Sequence, residues 1–387
     1  MHNKVVKWIA VILFGLIFLV WSSFYGLHCT LPTEGSSPQL FANQVDDNLQ
    51  RTFIRAIGEA KESVTLIIYS LTDSRIIRAL EQKKSEGIEV KVIHDPTTSQ
   101  KGFMQLSQTV ETNPLKMRGL MHRKILIIDK ESVWIGSANF TTESLKMHSN
   151  LVVGSVSPEL AETILANKQH HHFTIGGQMA EFWTLPESNK EGLERLLELI
   201  HSAEISIQVG MFTWTHPQIT EAVIAAAKRG VNVEVVLDRT QAQGASKKSL
   251  AELQNSAVNV RINRGNELFH HKFLVIDKHT LVNGSANWTR GAFSRNSDCF
   301  LILHNLNEEQ TKKMRRLWHI IRATSDPSSE KKLLSKLLGT MFIVKSVENF
   351  TNSYHLASPK IALVLIDHKW SKSNSALTLA LPSAMNL

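Results

Sequence analysis

Hydrophobic positions along the chain alternate between a helical and a strand-like spacing. Apolar residues recur at helical spacing in QRTFIRAIGEAK (50–61) and in EGLERLLELIHSA (191–203), which predicts amphipathic helices. Each helix is followed by a short apolar run, VTLIIYS (64–70) or ISIQVGMF (205–212), of the kind that forms a buried strand. Helices and strands continue to alternate after these runs. The pattern therefore predicts an α/β fold in which mixed β-sheets are flanked by helices.

The whole pattern occurs twice. Residues 63–95 align without a gap with residues 206–238, at an offset of 143 (206 − 63). A gap-free match in which the predicted element boundaries coincide indicates an internal duplication. We therefore predict two tandem domains related by a pseudo-twofold axis, over residues 46–175 and 176–325, each of ordinary domain length.

An uncharged apolar stretch near the N-terminus, WIAVILFGLIFLVWSSFYGL (8–27), is long enough to cross a bilayer as a helix. Lys4 and Lys7 precede it, and this charge bias predicts a cytoplasmic N-terminus with the rest of the chain outside the cytoplasm, periplasmic or extracellular. A cleaved signal peptide, which would release a secreted protein, is the alternative. We assign residues 1–29 to a membrane anchor and residues 30–45 to a linker.

Charge and composition narrow the class of partner without identifying it. The formal net charge of +8 and the pI of about 9.4 favour anionic partners, either phospholipid surfaces or nucleic acid. Two cysteines, Cys29 and Cys299, provide no disulfide framework. Residues 326–387 have no counterpart in the first copy. Their stretch EKKLLSKLLGTMFIVKSV fits a helix on a membrane surface or one packed on the protein body, so the structure of this tail stays open.

A histidine and a lysine stand two positions apart at the head of one hydrophobic strand in each copy. The two motifs are 148 residues apart (270 − 122), five more than the offset of the preceding elements (148 − 143). Because alternate residues of a strand point to the same side, histidine and lysine share a face, whereas the aspartate that follows lies on the other. The motif residues are His122, Lys124 and Asp129 in the first copy and His270, Lys272 and Asp277 in the second.

A second motif, GSAN, follows each histidine strand and adds hydrogen-bond donors. Lysine, serine and asparagine can donate to phosphate oxygens, and lysine also offsets the charge of pentacoordinate phosphorus. One histidine can attack phosphorus while a second protonates the leaving oxygen and later activates water. One copy lacks the second histidine, so two packed copies would complete the site. The candidate phosphate-binding residues are Ser137, Asn139, Ser285 and Asn287.

The pattern H-x-K-x4-D followed by G-S-x-N, present twice over about residues 46–325, resembles the phospholipase D superfamily of phosphodiesterases. The resemblance implies a covalent phosphohistidine, no metal or other cofactor, and a monomer that holds both half-sites. By analogy with duplicated members, His122 would be the nucleophile and His270 the general acid and base. Asp129 and Asp277 are part of the catalytic motif, and the resemblance implies that they bond within their own domains.

One departure from the family pattern concerns an acidic residue that often stands eleven positions after the GSAN asparagine and orients a catalytic histidine. From Asn287 this position is Asp298, and from Asn139 it is Asn150. Only one histidine would then have a carboxylate partner, which raises the basicity of a histidine and fixes its tautomer. The family resemblance implies that Asp298 reaches across to orient His122.

The sequence does not decide which class of phosphodiester is the substrate. Phospholipase D-type hydrolysis of phospholipids, with release of phosphatidic acid, is favoured because the predicted anchor would keep the site near a membrane. A membrane-anchored nuclease that cleaves DNA or RNA is the alternative, since a basic surface suits a polyanion. Phosphatidyl transfer, as in cardiolipin synthases, ranks lower because those enzymes usually carry two spans and a longer chain. A non-catalytic binding protein is disfavoured by the two complete motifs.

Overall fold

Two β-sheets, each with helices against one face, make up the part of the chain that the computed structural model describes, residues 30–106 and 108–328. The elements associated with the first copy are β1 (Gln39–Ala42), a short 3-10 helix (Asn43–Val45), α1 (Leu49–Gly58), β2 (Ser63–Ile68), α2 (Ser74–Ser85), β3 (Glu89–His94), α3 (Gln100–Leu106), β4 (Glu111–Pro114), β5 (Lys124–Ile128), β6 (Ser132–Gly136), α4 (Thr142–Lys146), β7 (Leu151–Val156) and α5 (Pro158–Leu165). The remaining elements are β8 (His170–Ile175), β9 (Gln178–Leu185), α6 (Asn189–Ser202), β10 (Ser206–Met211), α7 (Pro217–Lys228), β11 (Asn232–Leu237), α8 (Arg239–Gln243), α9 (Lys247–Gln254), β12 (Asn259–Asn263), β13 (Lys272–Ile276), β14 (Thr280–Gly284), α10 (Arg290–Ser294), β15 (Asp298–Leu303), α11 (Glu308–Ala323) and β16 (Ser325–Pro327).

The two sheets repeat one strand order. The first runs β1-β7-β6-β5-β2-β3-β4, and the second runs β16-β12-β11-β10-β13-β14-β15-β9-β8. Strands β2, β3 and β4 are parallel, as are β10, β11 and β12, while β5 and β13 each pair antiparallel with the first strand of the parallel set. The series β7-β6-β5-β2-β3-β4 thus corresponds to β15-β14-β13-β10-β11-β12. The predicted duplication and the mixed α/β class are confirmed.

Side-chain alternation along the strands gives each sheet two buried faces. In β5, Leu126 and Ile128 pack with residues of α1 and α2, whereas Ile125 and Ile127 pack on the opposite face. That opposite face shares one core with the second sheet, which contributes residues such as Phe273 of β13. The layers therefore follow the order helix, sheet, sheet, helix, and α5 and α11 add residues to the central core between the sheets. Both histidine strands border this core.

Two helices end close to a glycine that lets the chain turn into the next strand. α2 and α7 are followed within two residues by Gly87 and Gly230, whose φ angles are +86° and +96°. Residues with a Cβ atom rarely adopt this left-handed conformation, so glycine lets the chain turn into β3 and β11.

Two segments at the predicted domain boundaries adopt a different structure from that expected. The linker predicted for residues 30–45 contains β1, which pairs antiparallel with β7 because Leu40 and Ala42 reach the central core. Residues 170–175, expected to close the first domain, form β8, and this strand joins the second sheet through β9. The first sheet is therefore extended beyond β7 by β1, and the second sheet is extended beyond β15 by β9 and β8.

The predicted anchor over residues 1–29 lies outside the described residues, as does the tail from residue 329 onward. Within residues 30–106 and 108–328, no helix is both long and apolar enough to span a bilayer.

Candidate active site

The two histidine strands are joined at the interface between the copies. The backbone amide of His122 donates to the Ser297 carbonyl oxygen of the other copy (2.7 Å). In the reverse direction, the Ser149 amide donates to the carbonyl oxygen of Leu268 (2.9 Å). These bonds fix the two chain segments that lead into β5 and β13. His122 and His270 are consequently buried in one site, close enough for their charges to interact.

A buried aspartate anchors each of these segments from a neighbouring strand. Asp95, directly after β3, accepts a hydrogen bond from the Met121 amide (2.8 Å). Asp238, directly after β11, accepts one from the Phe269 amide (2.9 Å). Both aspartates occupy the same place in the repeat, so the position of each histidine is fixed from within its own sheet as well as from the other copy.

His122 contacts a carboxylate that comes from the other copy. Its Nδ1 lies 2.8 Å from Oδ1 of Asp298, the contact expected from the sequence. Burial alone would raise the pKa of Asp298, but the charges of His122 and Lys124 and the hydrogen bond from His122 outweigh it and hold that pKa at about 2. Burial and the neighbouring Lys124 lower the pKa of His122, against the opposing pull of Asp298. An ionised Asp298 therefore fixes the tautomer with hydrogen on Nδ1 and leaves Nε2 of His122 as the free nitrogen.

His270 contacts an amide at the equivalent position. Its Nδ1 lies 3.1 Å from Oδ1 of Asn150, whose Nδ2 donates to the Ser144 carbonyl oxygen (2.8 Å). The second bond orients the amide so that its oxygen faces the ring, and Nδ1 of His270 is then the protonated nitrogen. Burial and the charges of Lys272 and Lys124 lower the pKa of His270 well below its usual value.

The two motif lysines are buried beside the histidines. Lys124 donates to the carbonyl oxygen of His122, and Lys272 donates to that of His270 (2.9 Å). Each ammonium also lies 5.0 Å from the centre of an aromatic ring, that of Tyr69 for Lys124 and the equivalent Phe212 for Lys272. Burial lowers the pKa of Lys124 to about 7 and that of Lys272 well below 10.5. The site is thus rich in groups that gain a proton when an anion enters.

The GSAN serines have partners within the protein. Ser137 Oγ donates to Asn150 Oδ1 (2.8 Å), and Ser285 Oγ donates to Asp298 Oδ1 (2.7 Å). Their hydroxyl hydrogens therefore hold the residues that orient the histidines, whereas phosphate binding was expected. The two asparagines differ: Asn139 Oδ1 is buried without a hydrogen-bond partner among the described residues, whereas Asn287 Oδ1 accepts a hydrogen bond from the Thr213 amide (3.3 Å).

The motif aspartates lie at the far ends of the histidine strands. Asp129 accepts hydrogen bonds from the amides of Lys61, Glu62 and Ser63, between 2.8 and 3.2 Å. Asp277 makes the equivalent bonds to residues 204–206. Asp129 is separated from the active-site end of β5 by the length of a five-residue strand, roughly 16 Å. The structure thus places both aspartates within their own domains and away from the histidines.

Several residues at the site were given no role by sequence reasoning. The His148 ring centre lies 6.4 Å from that of His270, and the repeat places His148 opposite Asn296. Tyr69 and Phe212 pack edge-on against His122 and His270. The repeat alignment pairs Tyr69 with Phe212, and an aromatic residue at the same position of both copies could have indicated that these two residues lie at the site. The alignment gave no such indication for His148, because its counterpart Asn296 is a different residue type.

Known proteins with a similar sequence assign the chain to a family. A family model described as cardiolipin synthase, PLD-like domain, matches residues 53–171 and 196–318, one match for each copy. The chain therefore belongs to the phospholipase D superfamily. Among the described residues, no cluster of three or more His, Cys, Asp or Glu side chains is arranged to hold a metal ion.

Individual relatives match about a third of the chain. Mouse mitochondrial cardiolipin hydrolase is 32% identical over 122 residues, which are 32% of this chain and 54% of the relative. A phospholipase D from Rickettsia bellii is 30% identical over 143 residues, 36% of this chain and 65% of the relative. The chain thus spans between about half and two thirds of the length of these relatives. A solved phosphatidylserine synthase from Haemophilus influenzae, at 12% identity, shares the fold with a TM-score of 0.61 over 83% of this chain and 96% of that one.

Proposed function

We propose that this protein is a phospholipase D-type phosphodiesterase that hydrolyses phospholipids and releases phosphatidic acid. One observation carries the proposal: two buried histidines share a site, and each is held at Nδ1, His122 by Asp298 and His270 by Asn150. This arrangement leaves both Nε2 atoms for reacting groups, which a nucleophile and a general acid on opposite sides of one phosphorus require.

In the first step His122 is the nucleophile. Its Nε2 lone pair forms a bond to phosphorus, and ionised Asp298 stabilises the positive charge that the ring gains. The bond between phosphorus and the head-group oxygen breaks. The anionic phosphate raises the lowered pKa of His270 when it binds, so His270 takes up a proton on Nε2 from solvent. His270 then donates this proton to the head-group oxygen, and the neutral Asn150 makes the proton easier to lose than a carboxylate would.

In the second step water replaces the head group. The neutral His270 takes a proton from water, whose oxygen attacks phosphorus as the bond to His122 Nε2 breaks. Phosphatidic acid leaves, and both histidines return to their starting states. Lys124 and Lys272 offset the negative charge on the phosphate oxygens in both steps.

A phospholipid is favoured as substrate over nucleic acid for three reasons. Two relatives are named as a cardiolipin hydrolase and a phospholipase D. Leu120, two residues before His122, is 37% exposed, so an apolar side chain is available to a lipid beside the site. The predicted span over residues 8–27 would hold the catalytic part at a bilayer, outside the cytoplasm.

The proposal is tested with the full-length protein in detergent and EDTA. Mixed micelles of phosphatidylcholine or cardiolipin and, separately, a labelled single-stranded DNA are incubated with the wild type, His122→Asn and the control His319→Asn, an exposed histidine of α11. Phosphatidic acid should form with the wild type and the control, and not with His122→Asn. Shortened DNA with intact lipid would identify a nuclease instead. A new phosphatidyl ester in place of phosphatidic acid, when glycerol is added, would identify a transferase.

A further inference from the structure

A cleft of about 710 Å³ beside the His122 half-site carries excess positive charge. It is lined by the segment before β5 and by residues at and around α7, α9 and α10, and its cations are Lys248, Arg290 and Arg295. One lining carboxylate, Glu252, lies 3.9 Å from the Lys248 ammonium. Within the described part of the chain, neither arginine has a carboxylate within 4.0 Å. The cleft therefore presents two guanidinium groups to a ligand.

Asn296 connects this cleft to the active site. Its Nδ2 lies 3.4 Å from Oδ2 of Asp298, the carboxylate that holds His122. Its Oδ1 accepts a hydrogen bond from the amide of Leu120, two residues before His122 (3.1 Å). The positive charge thus lies next to the half-site that contains the proposed nucleophile.

The repeat provides an internal comparison for the cleft. At the motif offset of 148, Arg290 corresponds to Thr142 (290 − 148) and Arg295 to Met147 (295 − 148). Gly119 on the cleft wall corresponds to Glu267 (119 + 148). The flank beside His270 therefore lacks both arginines and carries a carboxylate. The fold alone does not require the cations, since the other copy forms the same elements without them.

We propose that this cleft binds a second anionic group of the substrate, so that the enzyme prefers phospholipids carrying a phosphate or carboxylate in addition to the scissile diester. This inference rests on the proposed function. The planar guanidinium groups of Arg290 and Arg295 can each donate paired hydrogen bonds to such a group. A phosphocholine head group offers only a cation beyond its diester and gains nothing from the cleft.

The experiment compares Arg290→Gln/Arg295→Gln with Lys312→Gln/Arg315→Gln, which removes the same charge from α11 outside the cleft. Full-length proteins are assayed on cardiolipin and on phosphatidylcholine in the same mixed micelles, and on bis(p-nitrophenyl) phosphate, which carries one anionic group. The cleft variant should lose about tenfold or more in kcat/KM on cardiolipin, the size of one or two charged hydrogen bonds, and stay within about twofold on the other substrates. The control should stay within about twofold on all three.

Each other outcome overturns the inference in a distinct way. An equal loss on all three substrates, or none on cardiolipin, shows that the cleft does not select a second anion. The same variants are also assayed on a labelled single-stranded DNA, and a loss confined to its cleavage places a polynucleotide in the cleft and overturns the lipid assignment. If wild-type protein hydrolyses neither lipid, the proposed function itself fails. If it hydrolyses both with a ratio that the cleft variant leaves unchanged, the inference alone fails.

Discussion

Asp298 of the second copy lies 2.8 Å from Nδ1 of His122 of the first, so the charged partner of one histidine crosses the interface between the copies. The equivalent partner of His270 is the neutral Asn150. Position 150 lies beside the carbonyl oxygens of Ser144 and His148, which accept hydrogen bonds from its Nδ2 and would repel a carboxylate. The duplicated site is therefore chemically asymmetric, and this asymmetry is the basis for the different roles proposed for the two histidines.

Asp298→Asn should lower kcat by about 10²–10⁴-fold, because the imidazole loses its tautomer control and the charge that stabilises its cation. The same substitution should lower the pKa of His122 further, since Asp298 is the group that raises it. The acid limb of the kcat/KM profile should then move to lower pH. An unchanged kcat with an unchanged acid limb would show that Asp298 has no part in catalysis.

Lys124→Met should stabilise the free protein while abolishing activity. Burial lowers the Lys124 pKa from 10.5 to about 7, so at or below about pH 7 the folded protein holds a charged ammonium in a low dielectric. Replacement by an apolar side chain should raise the free energy of unfolding by about 1–4 kcal/mol. This gain in the free energy of unfolding should shrink as pH rises from 7 toward 10.5. The folded lysine is neutral over this range, and the cost of removing its proton on folding falls as pH approaches the pKa of the unfolded chain. Urea unfolding across this range measures it, and a destabilised variant at pH 7 would refute the prediction.

Anion binding should take up protons at neutral pH. Burial and the surrounding cations hold the pKa values of His270 and Lys272 well below their usual values in the free protein. A bound oxyanion raises these values, so roughly one proton should be gained per vanadate bound near pH 7. Calorimetry in two buffers of different ionisation enthalpy measures the uptake. Proton release, or a heat independent of the buffer, would contradict the charge state assigned to the free site.

Asp129→Asn should lower stability and leave kcat unchanged. The amide would present a donor toward three backbone amides that Asp129 now accepts from, at a cost of about 1–2 kcal/mol. The bonds to the Ser63, Glu62 and Lys61 amides outweigh burial and lower the pKa of Asp129, so its contribution is present above pH 3.8 and is lost as pH falls through the lowered value. Asp277→Asn in the second copy is the matched variant. A large loss of kcat without a change in unfolding would restore a chemical role to the motif aspartates.

The repeat made much of the fold predictable. A gap-free offset fixes which strands correspond, and period-two alternation identifies the faces that must be buried, so the two sheets and their half-sites followed from the sequence. The Asp298 contact followed from a spacing within the family motif. The edge strand β1 did not, because a four-residue strand preceded by turn-forming residues resembles a linker.

The roles of the GSAN serines and of the cleft could not be predicted. Ser285 lies thirteen residues from Asp298 in sequence, and only the pairing of β14 with β15 brings their side chains together. Arg290 and Arg295 line one cleft with the segment before β5, and the Gly119 amide of that segment donates to the Arg295 carbonyl oxygen across the interface between the copies (3.0 Å). No periodicity in the sequence encodes such a contact.

The proposed mechanism requires a covalent intermediate on His122, and the variant His270→Ala allows it to be trapped with bis(p-nitrophenyl) phosphate. The p-nitrophenolate ion leaves without protonation, so the first step should proceed, while the second step lacks its general base. Protein denatured at mildly alkaline pH, where a bond between phosphorus and a histidine nitrogen survives, should carry one nitrophenylphosphoryl group. Mass spectrometry of peptides kept at that pH should place the group on His122, with no adduct in His122→Asn. Turnover without any covalent adduct, or an adduct on a residue other than His122, would contradict the mechanism.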